Sequence, residues 1–298
     1  MNDLPVFSII TATYNRKHTL KGVYEGLLRQ TFTDFEWIIV DDGSIDGTSE
    51  LVAELKPSFP IVYKYKENGG KPSAVNLGIA CARGTYIVVL DSDDVPVPEA
   101  IAVFVQEFKK TPDEVCAVGV LTMTMSGIII GSELSRSIVE MTMLEAYSRH
   151  GMTGDKWLAF KAEVAKKFLF PTYDSEKFAP EGLVFNRMSR YGYKTRFINR
   201  PLLIHEHLPD GLTYNHLKLK VSNPIGFVAY HAENILEHDT TVSPYYLKSA
   251  LNIYATLLLC SNRPLITAIL MILALPIGFA KGFLDYIRSK KALKGGQF

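Results

Sequence analysis

The first half of the chain alternates short apolar runs with stretches whose apolar residues recur at helical spacing. The runs Phe7–Ala12, Phe35–Val40 and Thr85–Leu90 carry almost no charge, which is typical of strands buried on both faces of a sheet. Helical patterns lie between them, at His18–Gln30 and at Pro72–Ala82. Strands and helices in alternation predict an α/β fold, in which a mostly parallel sheet has helices on both faces.

The second half of the chain is less regular, although its apolar stretches still predict secondary structure. We expect strands at Val115–Thr124 and Phe197–His205, and helices at Trp157–Lys167 and Glu181–Tyr191. Strands and helices do not alternate strictly here, so the fold class rests on the first half.

Three polar clusters follow the three buried strands: Thr11–Asn15, Asp41–Ser44 and Asp91–Asp94. Ligands bind at the carboxyl ends of the strands in parallel sheets, so three clusters at one edge predict a binding site. The third cluster contains three carboxylates, which repel one another and lose hydration near a protein interior. A solvated loop and a bound cation both explain them, and this pattern alone leaves the two open.

The C-terminal region is apolar and then basic. Tyr245–Cys260 is mostly apolar, and Leu265–Ala280 has sixteen residues without a charge. A membrane-spanning helix needs roughly 20 apolar residues. Two short apolar helices suit a hairpin that enters one leaflet, with the basic tail on anionic headgroups. A buried helical pair that completes the core is the alternative. The cations of the tail are Arg288, Lys290, Lys291 and Lys294.

Composition narrows the class of protein. Of the 298 residues, 47% are hydrophobic, which allows a substantial core, and the net charge of +1 gives no reason to expect a nucleic-acid partner. Cys81, Cys116 and Cys260 form no C-x-x-C motif, which favours a reducing compartment over a disulfide framework. The N-terminus has no basic stretch followed by an apolar one, so we expect no secretory signal.

Four segments resemble the motifs of the family 2 glycosyltransferases, in the order and spacing of that family. They are FSIITATYNR, DFEWIIVDDGSIDGT, NGGKPSAVNLGIACARGTYIVVLDSDD and APEGLVFNRMSRYGYKTRFI, within residues 5–215. The resemblance implies the Rossmann-like GT-A fold and transfer of a sugar from a nucleotide diphosphate, with inversion at the anomeric carbon. It implies a catalytic domain at 1–215, with nucleotide-sugar binding in 1–125 and the acceptor and base part in 126–215. Residues 216–298 would form a C-terminal helical, membrane-associating region.

The resemblance also implies roles for the polar clusters. Asp42 matches the carboxylate that accepts from the nucleobase, and Thr11 and Tyr14 match residues that line the base and ribose pocket. Asp91 matches the first Asp of the D-x-D motif, near the ribose, and Asp93 matches the Asp that holds a divalent cation on the diphosphate. Because carboxylates bind a diphosphate only through a hard cation with oxygen ligands, Mg²⁺ or Mn²⁺ is the expected cofactor.

Glu181 matches the catalytic base of the family, which would take the proton of the acceptor hydroxyl. The family often has Glu-Asp at this point, and Gly182 removes that alternative base. Lys71 stands where relatives have loop residues near the donor, and we expect it to contact phosphate, with a solvated lysine as the alternative.

Two further pairs extend the expected site. Gly154-Asp155-Lys156 resembles a motif in a bacterial subset of the family, in which Asp155 would bind a donor or acceptor hydroxyl and Lys156 a phosphate. His205 and His207 follow the last predicted strand, and either imidazole is compatible with Mn²⁺. We prefer His207 as the metal ligand, and a surface histidine is the alternative.

Together these expectations describe an inverting, metal-dependent glycosyltransferase at the cytoplasmic face of a bacterial inner membrane, peripheral or monotopic. The expected donor is a UDP-sugar, and the expected acceptor is a lipid-linked saccharide of surface-polysaccharide synthesis. One alternative is a sugar nucleotidyltransferase, which would need a Gly-rich, basic loop that Thr11–Arg16 does not provide. The other is a non-catalytic membrane protein that binds nucleotide sugar.

Overall fold

The computed structural model describes residues 4–134, 138–205, 211, 216–236, 249, 251–252 and 256. The strands in these ranges are β1 (Phe7–Thr13), β2 (Phe35–Asp41), β3 (Ile61–Tyr65), β4 (Tyr86–Val89), β5 (Val95–Pro96), β6 (Val115–Met123), β7 (Ile138–Met141), β8 (Lys156–Lys161) and β9 (Lys194–Ile204). The helices are α1 (Lys17–Leu28), α2 (Thr48–Glu54), α3 (Lys71–Cys81), α4 (Ala100–Phe108), α5 (Met143–Ser148), α6 (Ala162–Ala165), α7 (Gly182–Arg190), α8 (His216–Ser222) and α9 (Pro224–Leu236).

The strands form one sheet in the order β3-β2-β1-β4-β8-β6-β9-β5, and β7 pairs with β9. Strands β3, β2, β1 and β4 run parallel, whereas β8 is antiparallel to both β4 and β6. The predicted α/β fold is confirmed, with a parallel half from the first part of the chain and a mixed half beyond it. The carboxyl ends of β1, β2 and β4, where the three polar clusters begin, lie at one edge of the sheet.

The predicted helix at Trp157–Lys167 is wrong, because the chain forms strand β8 there and then the short helix α6. Strand β8 lies between β4 and β6, so its first four residues are buried on both faces. The indole nitrogen of Trp157 donates to the carbonyl of Val89 on β4, at 2.8 Å. A short run that is apolar throughout fits a buried strand as well as a helix, and the sequence pattern alone did not separate them.

Two apolar clusters pack the helices onto opposite faces of the parallel strands. One cluster joins α1 and α4 to the sheet and includes Leu20, Trp37 and Phe104. The other lies under α3 and includes Ile10 and Val75. Both faces of the sheet are therefore covered, and its carboxyl edge is left to bind a ligand.

Helix α9 packs against α7 after the last strand. The side-chain amide of Asn186 on α7 donates to the side-chain oxygen of Asn234 on α9, and both residues are buried. The carboxylate of Glu233 pairs with Arg187 at 2.9 Å and with Arg190 at 3.3 Å. These contacts attach residues beyond 215 to the helix that follows Glu181.

No helix within the described ranges is long and apolar enough to cross a membrane. The apolar run Leu265–Ala280 and the basic tail lie outside the described residues. The membrane-associating region at 216–298 and the division of the catalytic domain remain predictions.

Helix α3 approaches strand β1 closely at one residue. A Cβ atom at Gly78 would overlap the side chain of Ile10 on β1. Gly22 on α1 makes a contrast, because a Cβ atom there would meet Val95 at an ordinary 3.8 Å. The small residue at 78 therefore sets the distance between α3 and the sheet.

We predict that Gly78→Ala destabilises the fold by about 1–3 kcal/mol, because the added methyl overpacks the interface between α3 and β1. The matched variant Gly22→Ala should stabilise the fold by about 0.5–1 kcal/mol, because alanine loses less backbone entropy in a helix. Urea unfolding of the two variants measures both signs. Equal effects would contradict the close approach at Gly78.

Candidate active site

A cavity of about 1160 Å³ opens at the carboxyl edge of the sheet. The predicted residues Tyr14, Asp42, Lys71, Asp91, Asp93, Asp155, Lys156 and Glu181 all line it. Their positions in the sequence span about half of the chain, and the sheet brings them together because the ends of β1, β2, β4 and β8 meet there. The structure thus brings these predicted residues to one cavity, and their roles remain predictions.

The acidic cluster after β4 is balanced by cations from other segments. The ammonium of Lys71 lies 2.8 Å from a carboxylate oxygen of Asp91, and the guanidinium of Arg16 lies 3.4 Å from Asp93. Burial raises the pKa of the Asp93 carboxyl, and the nearby charge of Asp91 raises it further. The cluster is therefore an electrostatically costly one, of the kind that a bound cation would stabilise.

Asp94, the third carboxylate of the cluster, is buried and pairs with the partly buried His205. The Nδ1 atom of His205 lies 2.6 Å from a carboxylate oxygen of Asp94. The hydrogen bond to Asp94 raises the pKa of His205, against the opposing effect of burial. His207, the preferred histidine of the sequence analysis, lies outside the described residues, so its role remains a prediction.

Lys71 also contacts the predicted base. Its ammonium lies 3.0 Å from a carboxylate oxygen of Glu181, so one cation sits between Asp91 and Glu181. Burial lowers the pKa of Lys71, but the charges of Asp91 and Glu181 outweigh this effect and raise it overall. Glu181 precedes α7, and its side chain is 43% exposed, so it stays accessible from the cavity.

Gly182, next to the predicted base, lies directly against the ring of another residue. A Cβ atom at this position would overlap the ring of Tyr230, which comes from α9. The departure from the Glu-Asp pattern thus has a structural counterpart, because the space beside Glu181 is filled by an aromatic ring from another helix.

Asp42 holds a loop of the chain through four donors. One carboxylate oxygen accepts from the ammonium of Lys66 at 2.7 Å and from the backbone of Gly69 at 3.0 Å. The other accepts from Asn68 at 3.1 Å and from the backbone of Gly70 at 2.7 Å. A carboxylate has about four lone-pair sites, so a nucleobase N–H would have to replace one of these donors. The structure adds to the predicted nucleobase contact a second role for Asp42, which is to fix the loop before Lys71.

Thr11 is not at the cavity, in contrast to its predicted role in the donor pocket. It is fully buried, and its hydroxyl accepts from the indole nitrogen of Trp37 at 2.9 Å. Thr13, two residues further along β1, does line the cavity, and its buried hydroxyl has no hydrogen-bond partner within the described ranges. Thr13 is the donor-pocket candidate that the sequence analysis missed, and its place at the end of the strand was the available signal.

The other residues predicted to bind the sugar donor differ in how exposed they are. Tyr14 is 50% exposed at the rim of the cavity. Asp155 is exposed, whereas Lys156 is buried and its ammonium donates to the carbonyl of Thr153 at 2.9 Å. Burial lowers the pKa of Lys156, and the charge of Asp155 partly offsets this effect. A phosphate contact by Lys156 would therefore compete with an existing hydrogen bond.

The carboxylate oxygens at the cavity are suitable ligands for a hard divalent cation. Within the described ranges, however, no three His, Cys, Asp or Glu side chains converge into a metal site. Asp91 and Asp93 offer carboxylate oxygens on the cavity wall. Mg²⁺ is usually held in proteins by one or two carboxylates together with substrate phosphates and water, rather than by an all-protein cage. Two carboxylates of this kind fit a cation that arrives with a diphosphate.

The fold and the acidic cavity define an α/β protein with a ligand site at the carboxyl edge of its sheet. The sequence profile described as "Glycosyl transferase family 2" matches residues 8–160, about half of the chain. The protein therefore belongs to glycosyl transferase family 2, as the sequence analysis predicts. Glu181 and α9 lie beyond the matched segment.

Individual relatives match shorter parts of the chain. The hyaluronan synthase of Pasteurella multocida is 37% identical over 117 residues, which are 39% of this chain and 12% of that protein. The chain thus corresponds to a small share of that relative's length.

Solved structures share the fold along nearly the whole chain. The S. aureus TarS 1–349 structure in complex with UDP has a TM-score of 0.61 and 18% identity, and covers 98% of this chain and 92% of that one. The mannosyltransferase PcManGT of Pyrobaculum calidifontis, in complex with GDP-Man and Mn²⁺, has a TM-score of 0.58 and 18% identity, with 99% and 89% covered. At this identity the likeness is one of fold.

We predict that Asp42→Asn destabilises the protein by about 1–3 kcal/mol, because an amide nitrogen would face backbone donors that now have an acceptor. The exposed Asp34 gives a matched control, and Asp34→Asn should change the free energy of unfolding by less than about 0.5 kcal/mol. Urea unfolding compares the two. An unchanged free energy of unfolding in Asp42→Asn would show that the four donors do not depend on both carboxylate oxygens.

Proposed function

We propose that the protein transfers a sugar from a nucleotide diphosphate sugar to a saccharide acceptor, with inversion at the anomeric carbon. The observation that carries this proposal is the position of the Lys71 ammonium, within 3.0 Å of both Asp91 and Glu181. It places the expected donor carboxylate and the expected base on either side of one cation. Family membership and a fold neighbour in complex with UDP support a UDP-sugar as the donor.

In the proposed reaction, Glu181 takes the proton from an acceptor hydroxyl. The acceptor oxygen forms a bond to the anomeric carbon as the bond from that carbon to the diphosphate oxygen breaks. The diphosphate leaves with the electron pair of the broken bond, on the face opposite to the attack. Lys71 and Arg16 line the cavity beside the carboxylates, and their charges would favour the negative leaving group.

Asp93 is the residue that would hold Mn²⁺ or Mg²⁺, and Asp91, expected near the ribose, offers a second carboxylate on the same cavity. When bound, the cation would neutralise charge that builds up on the departing diphosphate. The fold neighbour in complex with GDP-Man and Mn²⁺ supports metal use. Lys71, which now pairs with Asp91, would be released to contact phosphate oxygen.

The two alternatives have less support. A nucleotidyltransferase would cradle a triphosphate on a Gly-rich loop after the first strand, and the loop here contains Tyr14, Asn15 and Arg16. Asn15 takes the left-handed conformation and accepts from the backbone of Ile45. This loop is therefore fixed against the chain that follows β2. A non-catalytic role would leave Glu181 without a function, and the variants below test it.

We predict that Asp93→Asn and Glu181→Gln lose different properties, the first metal-dependent binding and the second turnover. Asp93→Asn should lose the Mn²⁺-dependent part of UDP binding, because an amide is a poor ligand for a hard cation. Glu181→Gln should keep that binding and slow turnover on the order of 10²–10⁴-fold, because it keeps the shape of the base and removes its basicity. UDP titration with and without Mn²⁺, and UDP release from UDP-sugars, measure the two effects.

The exposed variant Asp34→Asn serves as the control in both assays. A protein that binds UDP with Mn²⁺ and releases none from any UDP-sugar would favour the non-catalytic alternative. Near-normal turnover of Glu181→Gln would transfer the role of base to another group, with Asp155 as the first candidate.

A lipid-linked saccharide acceptor at the cytoplasmic face of the inner membrane is the second part of the proposal. It is supported by the uncharged run Leu265–Ala280 and the basic tail after it. Apolar side chains transferred to the lipid boundary contribute roughly 1.5–3 kcal/mol each, and each cation adds about 1 kcal/mol at an anionic surface.

We predict that removal of residues from Leu265 onward releases the protein from anionic phospholipid vesicles, because the apolar run and the basic tail are lost. Sedimentation with vesicles, with UDP binding as the fold control, compares the full and shortened chains. A shortened chain that still sediments with vesicles places the anchor elsewhere. Loss of UDP binding on shortening would instead place the apolar run in the core.

A further inference from the structure

Glu181 lies near two chemically different groups of residues that line the cavity. The first group is Lys71 and Asp91, which the proposed function assigns to the donor, and Lys71 contacts Glu181. The second group, the tyrosine wall, is two tyrosines and a carboxylate: Tyr147 on α5, Tyr230 on α9 and Asp155 before β8. The proposed function uses the first group and leaves the tyrosine wall without a role.

Tyr147 is held in place by its hydroxyl. The hydroxyl donates to the carbonyl of Gly154 at 3.1 Å, and the side chain is half-buried in the cavity wall. Burial raises the pKa of the Tyr147 phenol, and the charges of Asp155, Tyr230 and Glu181 raise it further. The phenol therefore lies within electrostatic range of these three groups, and the expected base is one of them.

Tyr230 is held by the packing of its helix. Its ring fills the space beside Gly182, directly after Glu181. The start of α9 is fixed by Glu176, whose carboxylate accepts from the backbone of Gly226 at 2.8 Å. The other end is fixed by the buried amide contact between Asn234 and α7. The ring is thus positioned by contacts on both sides of it along the helix.

The chemistry of this wall fits a neutral, polyhydroxylated ring. Aromatic faces pack against the C–H faces of a sugar, and a carboxylate accepts from its hydroxyls. A phosphate is disfavoured here, because Asp155 and Glu181 would repel it. The wall also lies beside the group that would take the proton from the attacking hydroxyl.

We propose that Tyr147 and Tyr230 form an aromatic wall that holds the terminal sugar ring of the acceptor, with Asp155 accepting from its hydroxyls. The inference rests on the proposed function and adds residues that determine acceptor specificity. Tyr230 lies beyond the segment that the family profile matches, so this part of the site belongs to the C-terminal half of the chain.

The experiment compares the full-length protein with Tyr147→Ala, Tyr230→Ala and the matching Phe variants. UDP release from UDP-glucose or UDP-N-acetylglucosamine is measured in water alone and with rising concentrations of methyl β-glucoside, β-galactoside or β-N-acetylglucosaminide. Water as the acceptor reports the donor side, and the saturable increase with a glycoside reports the acceptor side. Tyr191→Ala is the control, because Tyr191 is an exposed tyrosine at the end of α7.

We expect at least one glycoside to increase UDP release by the wild-type protein. Each Ala variant should raise the half-saturating glycoside concentration about three- to tenfold, the range expected for loss of an aromatic contact. UDP binding should stay near wild type. Tyr230→Phe should resemble the wild type because it keeps the ring, whereas Tyr147→Phe, which loses the hydrogen bond to Gly154, should fall between the wild type and Tyr147→Ala. Tyr191→Ala should change neither quantity.

Two results would overturn the inference while leaving the proposed function intact. One is hydrolysis in water that no glycoside increases, and the other is an unchanged glycoside dependence in both Ala variants. If Tyr230→Ala no longer binds UDP, the half-saturating glycoside concentrations of Tyr147→Ala and Tyr147→Phe decide whether the inference stands. A wild-type protein that releases no UDP even in water would contradict the proposed function, and the inference with it.

Discussion

The Lys71 ammonium between Asp91 and Glu181 is the interaction on which the geometry of the site depends. Two carboxylates from segments 90 residues apart in the sequence face the same cavity, and without a cation they would repel each other. Lys71 lies 2.8 Å from one and 3.0 Å from the other, so the end of β4 and the start of α7 share one counter-charge. A ligand that draws the lysine towards a diphosphate would change the surroundings of both carboxylates at once.

The position of Lys71 follows from contacts further back in the chain. Asp42 fixes the loop before it by accepting from the backbone of Gly69 and Gly70. Gly70 has a positive φ of 90°, and a side chain there would overlap the carbonyl of Lys177, four residues before Glu181. The expected nucleobase residue and the expected base are therefore linked through one loop. A change at Asp42 should be felt at Glu181 through this packing rather than through charge alone.

The sequence predicts the parallel half of the fold well, because short apolar runs alternate there with stretches of clear helical spacing. At β8 the prediction of a helix is wrong, because a short buried strand and a buried helix leave the same kind of apolar run in the sequence. Thr11 and Thr13 are the same residue type, two positions apart on β1. Residue type therefore does not show which of them reaches the cavity. The contacts of Tyr230 with Gly182 depend on how α9 packs, and this tertiary arrangement has no local motif.

Gly182 and Tyr230 show how a missing side chain can be part of a site. An acidic residue at 182 would put a second carboxylate beside Glu181, the proposed base, and any side chain there would have to displace the ring of Tyr230. Glu181 thus contacts Lys71 through its carboxylate, while the residue after it lies against Tyr230. Because Tyr230 comes from α9, the C-terminal half of the chain shapes the surroundings of the base. The proposed acceptor side could therefore change through α9 while the proposed donor side, built from β1, β2 and β4, keeps its structure.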